Sequence, residues 1–317
     1  MTTHLQPKPT TITKAPNLGA LVNEWEDNLN LRVDAQEIKQ DTAVSYVRGV
    51  MKFIEWMGNE QPSPETIRRW KASLLKAEKK TASVNTWLSG LRSFFGWLAE
   101  VGQIPFNPAQ AIPGAKRRGA NAHHARELLT DREVIRLLAQ PNRATRDGVR
   151  DYAILCIMVY AAARGIELHR SDLADVKSMG GALVLHVQGK GHDEKDAVIM
   201  LCNEAESAVS AWLVVRGKED GPLFVSCSNR SMGERLSRRA LRGIVKGYMT
   251  AAGIRGNTTT HSLRHTAITN AIRHGVPIQK VSRELARHNS MDTTMIYYHD
   301  VSRLTDPPEK YISYSSE

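Results

Sequence analysis

The stretch from His261 to His299, HSLRHTAITNAIRHGVPIQKVSRELARHNSMDTTMIYYH, places histidines, arginines and two adjacent tyrosines at spacings that can do chemistry. Residues three apart on a helix share a face, so His261 and Arg264 can point at one ligand atom and together hold a phosphate. His288 precedes Tyr297 by nine positions. The polar run between them, Asn289, Ser290, Asp292, Thr293 and Thr294, predicts a turn and then a short helix that swings a tyrosine back towards the first helix. Two histidines, an arginine and a tyrosine suit covalent attack on a phosphodiester. The phenol oxygen is the nucleophile, the guanidinium grips non-bridging oxygens, and the imidazoles donate hydrogen bonds or move protons. Such chemistry calls for no metal and no cofactor. A zinc site is the rival reading, but Cys156, Cys202 and Cys227 are scattered, and no H-E-x-x-H or C-x-x-C spacing occurs. Any one of these histidines or tyrosines alone reads as an ordinary surface or packing residue; the combined spacing is what points to a reaction.

The pattern H-x-L-R-H, followed by A-R-H-N-S and T-T-M-I-Y-Y-H, resembles the tyrosine recombinase (phage integrase) family. That family's motif runs H-x-x-R, then L-G-H, then a nucleophilic tyrosine nine residues on. The match falls on His261, Arg264, His288 and Tyr297. Ala286 and Arg287 stand where the family has Leu-Gly, so Arg287 can add a phosphate contact, and Tyr298 offers a second phenol beside the expected one. Family spacing selects Tyr297.

These residues need elements to carry them. Thr130 and Glu133 form a capping-box pattern that opens a second domain. A nearly all-apolar helix expected around Tyr152 to Ala163 delivers Arg164 at its end. A charge directly after a buried helix is costly unless it is paired, which calls for a phosphate or for Glu167 nearby. The resemblance extends here as R-x-x-E-L, matched by Arg164, Glu167 and Leu168, with Asp175 where an acid is frequent. Ala161, Ala162 and Ala163 replace the family's Thr-Gly-Leu, and Ser171 replaces a leucine. It implies that Arg164 is the second guanidinium on the phosphate and Glu167 a supporting residue. Ala182 to Val187 and Ala197 to Leu201 are β-prone runs joined by a glycine-bearing turn. A turn lysine is ordinarily just solvated; the resemblance makes Lys190 the proton donor to the leaving 5′ oxygen, with Lys195 as the fallback. Arg235, Arg238, Arg239, Arg242 and Lys246 then form a basic helix suited to tracking DNA.

The N-terminal part reads as helices. Leu18, Leu21, Val22 and Trp25 share one face, and a second helix runs from about Asp41 to Met57 with Val44, Val47, Val50, Ile54 and Met57 inward. Ser63 and Pro64 open a third, whose other face carries Arg68 and Arg69 among further basic residues; that face is either merely solvated or a phosphate contact. The fourth, with Val84, Trp87, Leu88, Leu91, Phe94, Phe95 and Leu98 in one stripe, is core. The expected division is a flexible tail over 1–16, a helical core-binding domain over 17–111, a basic linker over 112–127, a catalytic domain over 128–299 and a tail for subunit contact over 300–317. Within the linker, Lys116, Arg117 and Arg118 can cross a DNA backbone. The fold expected is mostly α with a small β-sheet: a helical domain followed by an α+β catalytic domain of the tyrosine-recombinase type.

Lys and Arg number 43 against 33 Asp and Glu, a formal net charge of +10, which favours a polyanionic partner, nucleic acid before an anionic membrane surface. No apolar run approaches the roughly 20 residues of a membrane span, and the start has no apolar core like that of a signal peptide. The expectation is a cytoplasmic, nucleoid-associated protein with reduced thiols. The resemblance implies a site-specific recombinase that cleaves and rejoins double-stranded DNA through a 3′-phosphotyrosyl link and a four-way junction. It would act as a homo-tetramer on two paired sites, with room for an accessory protein. The alternatives are type IB topoisomerase-like cleavage and a non-cleaving DNA-binding protein on the same fold.

Overall fold

Apolar residues recurring at helical spacing build four helices in the first part of the chain: α1 (Leu18–Asp34), α2 (Gln40–Met57), α3 (Pro64–Lys76) and α4 (Thr81–Glu100). The structure is a computed structural model that describes residues 18–116, 128–189, 194–202, 204–305 and 307–312. Contacts divide the chain into two compact units, residues 1–122 and 123–317.

In the first unit the start of α3 is fixed chemically. Ser63 Oγ accepts the Thr66 N–H at 3.1 Å, and Pro64 occupies the first turn, where its missing N–H costs nothing. The α4 stripe is core as expected, with Val84, Leu88, Leu91, Phe94, Phe95 and Leu98 buried and Trp87 partly so; Trp25, Phe53 and Trp70 join it, with edge-to-face centroid distances of 5.2 to 6.1 Å for the Trp25–Phe94, Phe53–Trp70 and Phe53–Phe95 pairs. Burying each such ring stabilises by about 1.5–3 kcal/mol. The inward face of α2 takes in Val50 and Met57 as expected, with Val47 and Ile54 packed against the core, and departs from the sequence expectation at Val44 and Phe53. Val44 is exposed, and Ala43, Gly49, Val50, Phe53 and Met57 are buried, because Phe53 turns towards Trp70 and Phe95 and rotates the helix with it.

The second unit opens with the expected capping box, in which Glu133 accepts the Thr130 N–H at 2.8 Å and Thr130 Oγ1 accepts the Glu133 N–H at 3.3 Å. Its helix α5 (Asp131–Leu138) precedes the buried α6 (Arg146–Tyr160), which ends three residues before the expected Ala163. Ala162 adopts φ +51°, a left-handed turn that stops the helix and releases Arg164 into the short α7 (Gly165–Arg170). An antiparallel sheet follows in the order β1 (Val176–Met179), β2 (Ala182–Val187), β3 (Ala197–Leu201). The β2–β3 hairpin sits where the sequence placed it. The first strand was not foreseen; Gly180 and Gly181, both at positive φ, close a two-residue turn that pairs Met179 with Ala182. Beyond the sheet lie α8 (Glu204–Arg216), α9 (Arg238–Ala251), α10 (Thr260–Arg273) and the single-turn α11 (Ile278–Lys280), which runs into a π-helical turn over Val281–Leu285; α12 (Asp292–Thr305) comes last. The fold is thus mostly helical with one small sheet.

Candidate active site

The site grows from two carbonyls. Ala162 at φ +51° and Arg287 at φ +49° hold left-handed backbone, and the Ala162 and Ala286 oxygens beside those turns face inward. Arg264, in the second turn of α10 and only 1% exposed, donates Nη1 to Ala162 O at 2.5 Å and Nη2 to Ala286 O. Arg164 donates Nη2 to Ala286 O at 3.2 Å and to Arg287 O at 3.1 Å. The π-helical turn positions this second carbonyl, since the Ala286 N–H reaches back five residues to Val281 O.

Glu167 is the counter-charge. Wholly buried, it accepts the Arg164 N–H at 2.7 Å, Arg164 Nη1 at 2.6 Å and Arg287 Nη2 at 3.1 Å. Burial pushes its carboxyl upward, yet Arg287 and Arg164 outweigh burial and hold it below the usual carboxylate range. Burial, with Arg164 beside it, pushes the Arg264 guanidinium down to about 9, so it stays a cation at neutral pH. Arg287 donates further to Leu285 O at 2.7 Å, while its Nε is buried with no hydrogen-bond partner.

Tyr297 completes the pocket from α12. It is 9% exposed and packs in a small apolar cluster with Ala162, Ala267, Ile268, Ile272, Val281 and Ala286; Tyr298 is 42% exposed. His288 stacks on the Tyr297 ring at 6.2 Å, and its Nδ1 meets Thr294 Oγ1 at 2.8 Å. Burial and the guanidiniums of Arg264, Arg164 and Arg287 push His288 down to about 4, which makes it a neutral imidazole at pH 7. His261 is exposed in the first turn of α10, its ring edge-on to His265 at 4.8 Å. His265 in turn reaches the phenol, with Nε2 3.2 Å from Tyr297 Oη.

Arg164, Glu167, Arg264, His288 and Tyr297 are therefore gathered around one pocket, with His261 joined to it through His265. Lys190 lies outside the described residues, as do Arg117 and Arg118. Lys195 is bound to Asp172 at 2.8 Å and Asp175 at 2.5 Å, and these hydrogen-bonded carboxylates outweigh burial and raise its pKa, the wrong direction for a proton donor. Arg68 lies 3.9 Å from Glu65, and Arg69 pairs with Glu60, all four side chains exposed. Lys116, Arg238, Arg239 and Arg242 are exposed. Sequence reasoning assigned no role to His265 or Thr294. The i, i+4 spacing of His261 and His265 on α10 was the available signal for the first; Thr294 gave none beyond its place in a polar turn. Among the described residues no group of three or more His, Cys, Asp or Glu is arranged to hold a metal ion, and no helix is long and apolar enough to cross a membrane.

Comparison with known proteins bears on the same residues. The phage integrase family model matches residues 127–303, and the model of the phage integrase N-terminal SAM-like domain matches residues 23–102. The chain is 31% identical over 269 residues to the tyrosine recombinase XerC of Thermodesulfovibrio yellowstonii, covering 81% of this chain and 85% of that protein. Its fold is similar to that of XerH site-specific recombinase in a post-cleavage complex with palindromic difH substrate, at a TM-score of 0.68 and 19% identity over 84% of this chain and 79% of that one. It is also similar to a lambda integrase tetramer bound to a Holliday junction, at a TM-score of 0.64 and 18% identity over 86% and 77%. Since the family match begins before Arg164 and runs past Tyr297, and the XerC alignment spans most of both proteins, the chain belongs to the phage integrase family and is a tyrosine recombinase.

Proposed function

We propose that this recombinase cleaves and rejoins duplex DNA at a specific site through Tyr297. The observation that carries the reading is the burial of the Tyr297 ring against the Ala162 and Ala286 carbonyl turns that hold Arg264, with its hydroxyl at an imidazole. Tyr297 Oη attacks the phosphorus, a 3′-phosphotyrosyl bond forms, and the 5′ oxygen leaves. Negative charge grows on the non-bridging oxygens during attack. Arg264 commits two of its five N–H groups to the Ala162 and Ala286 carbonyls, so the guanidinium is held rigidly before the phosphate arrives. Arg164 is the second clamp, oriented by Glu167. A neutral His288, anchored by Thr294, offers a hydrogen bond without adding charge. Lys190 is the proposed donor to the leaving oxygen.

The phosphotyrosyl bond keeps the energy of the broken linkage, so a second 5′ end reverses the step without ATP. Strand exchange between paired sites then proceeds through a four-way junction within a tetramer; the lambda integrase tetramer on a Holliday junction shares this fold. The proposed layout is a helical DNA-binding domain over 17–111, a linker over 112–127 and a catalytic domain over 128–299, with the last residues contacting a neighbouring subunit.

A suicide DNA substrate tests this. Wild-type protein accumulates a covalent adduct that maps to Tyr297, and Tyr297→Phe binds the same DNA with unchanged affinity and forms none. Arg264→Ala lowers the single-turnover cleavage rate by about 10²–10³, the size expected for losing one preorganised charge donor. An adduct that persists in Tyr297→Phe, or maps to Tyr298, would remove Tyr297 from the role.

A further inference from the structure

The group touching the phenol is not one that the motif spacing marks. Tyr297 Oη lies 3.2 Å from His265 Nε2, and the two rings are 4.8 Å apart between centroids at 48°. The other two imidazoles are placed for different work. His288 lies over the face of the tyrosine ring, with Nδ1 engaged by Thr294 Oγ1. Its burial, beside the guanidiniums of Arg264, Arg164 and Arg287, disfavours taking up a proton. His261 sits edge-on to His265 one turn earlier on α10, with ring centroids 4.8 Å apart. His265 follows Arg264 directly, so one helical turn fixes both a phosphate-binding cation and a base at the nucleophile.

We propose that His265 is the catalytic proton acceptor for Tyr297. The inference rests on Tyr297 being the nucleophile, and it names the group that activates it. As the bond from Tyr297 Oη to phosphorus forms, the phenolic proton passes to His265 Nε2. The bond from phosphorus to the 5′ oxygen breaks, and that oxygen leaves with a proton from a separate donor. In rejoining, the 5′ hydroxyl attacks phosphorus and gives its proton back to that separate donor, the phosphotyrosyl bond breaks, and His265 returns its proton to the departing phenolate. A base must stand within about 2.6–3.2 Å of the proton it takes, and the contact is already at the edge of that range without DNA. The lone pair on a neutral imidazole nitrogen is the acceptor such a transfer needs.

The test compares two DNA substrates in single-turnover cleavage: one with the natural bridging 5′ oxygen, and one with a 5′ bridging sulfur, which leaves without needing a proton. His265→Gln, which keeps a hydrogen-bonding side chain but cannot carry the proton, binds both substrates as wild type does. It cleaves both about 10²–10³ slower, within the range for removing a general base. The sulfur does not restore it, whereas it does restore Lys190→Ala. Added imidazole raises the rate of His265→Ala and leaves His265→Gln unchanged. If His265→Gln does not fold, His265→Asn takes its place, with the melting transition as control. Cleavage by His265→Gln within about threefold of wild type would overturn the proposal, as would full recovery on the sulfur substrate, which would put His265 on the leaving-group side. An adduct mapping away from Tyr297 in wild type is a separate result, and it would overturn the nucleophile assignment itself.

Discussion

Three guanidiniums, Arg164, Arg264 and Arg287, surround one buried carboxylate, Glu167, which leaves a surplus of two positive charges in the pocket. A phosphodiester brings one negative charge, and a second develops as the phenol attacks, so the surplus matches the transition state better than the ground state. Glu167 is what makes this concentration of charge tolerable before DNA binds. Glu167→Gln keeps the shape but leaves buried guanidiniums uncompensated, and such a break costs about 3–5 kcal/mol; a lowered denaturation midpoint of the catalytic unit would record it. Within the site, two groups contribute to the acid limb of stability with the same sign. His288 is depressed in the folded protein to about 4 from an ordinary 6.5, so the unfolded chain takes the proton first, and stability falls as pH drops from about 6.5 to about 4. The carboxyl of Glu167, also depressed when folded, loses its contribution only below its ordinary value of 4.5. In His288→Gln the melting temperature should therefore stay flatter between pH 6.5 and 4 than in wild type, while the steeper fall at lower pH remains. Equal slopes in the two proteins over the upper window would contradict the His288 assignment.

Helix α2 crosses α4 where both lack a side chain. A methyl on Gly90 would stand 2.9 Å from Tyr46 Cα and O, and one on Gly49 the same distance from Trp87 Cα. Gly90→Ala gains about 1 kcal/mol of helix propensity but must push two backbones apart, at about 1–3 kcal/mol. The expected net loss of up to about 2 kcal/mol is readable by urea denaturation with tryptophan fluorescence, since Trp25, Trp56, Trp70, Trp87 and Trp97 all lie in this unit and only Trp212 lies in the other. The same crossing shows where sequence periodicity is informative. The α4 stripe is legible because its large apolar residues recur at one spacing; on α2 the same spacing finds Val47, Val50, Ile54 and Met57 but also takes in the exposed Val44 and passes over Phe53. Strand β1, reading Val-Lys-Ser-Met, carries no clean alternation, and only the Gly-Gly pair after it marked a hairpin. Within the site, His261, Arg264, His288 and Tyr297 were legible from spacing along one short stretch. The parts of Ala162 and Arg287 were not, because the family marks those turns with glycine and this chain bends there with alanine and arginine at positive φ. His265 escaped for another reason: its partner is a helix away, and only folding reveals which imidazole meets the phenol.

At the scale of the molecule, a net charge of +10 favours DNA without saying which cations meet it. The structure sorts them by their neighbours. Arg68 and Arg69 stand beside Glu65 and Glu60, so part of their field is already offset, and exposed pairs of this kind contribute little to stability that would hold them apart from a phosphate. Arg239 and Arg242 are exposed on α9, which buries Leu241, Val245 and Met249. The two groups therefore differ in a measurable way. Each phosphate neutralised releases condensed counterions, and the slope of log affinity against log salt changes by about 0.9 per contact. Arg239→Gln with Arg242→Gln should reduce the slope magnitude by about 2 and weaken binding to specific and random duplexes alike, because phosphate contacts carry no sequence information. Arg68→Gln with Arg69→Gln should change it by less, and Glu60→Gln should strengthen binding by freeing Arg69. Fluorescence anisotropy across about 50 to 200 mM salt reads all three. A slope unaltered by the α9 pair would assign the excess charge to solvent and not to DNA; a loss confined to the specific duplex would assign these arginines to base edges.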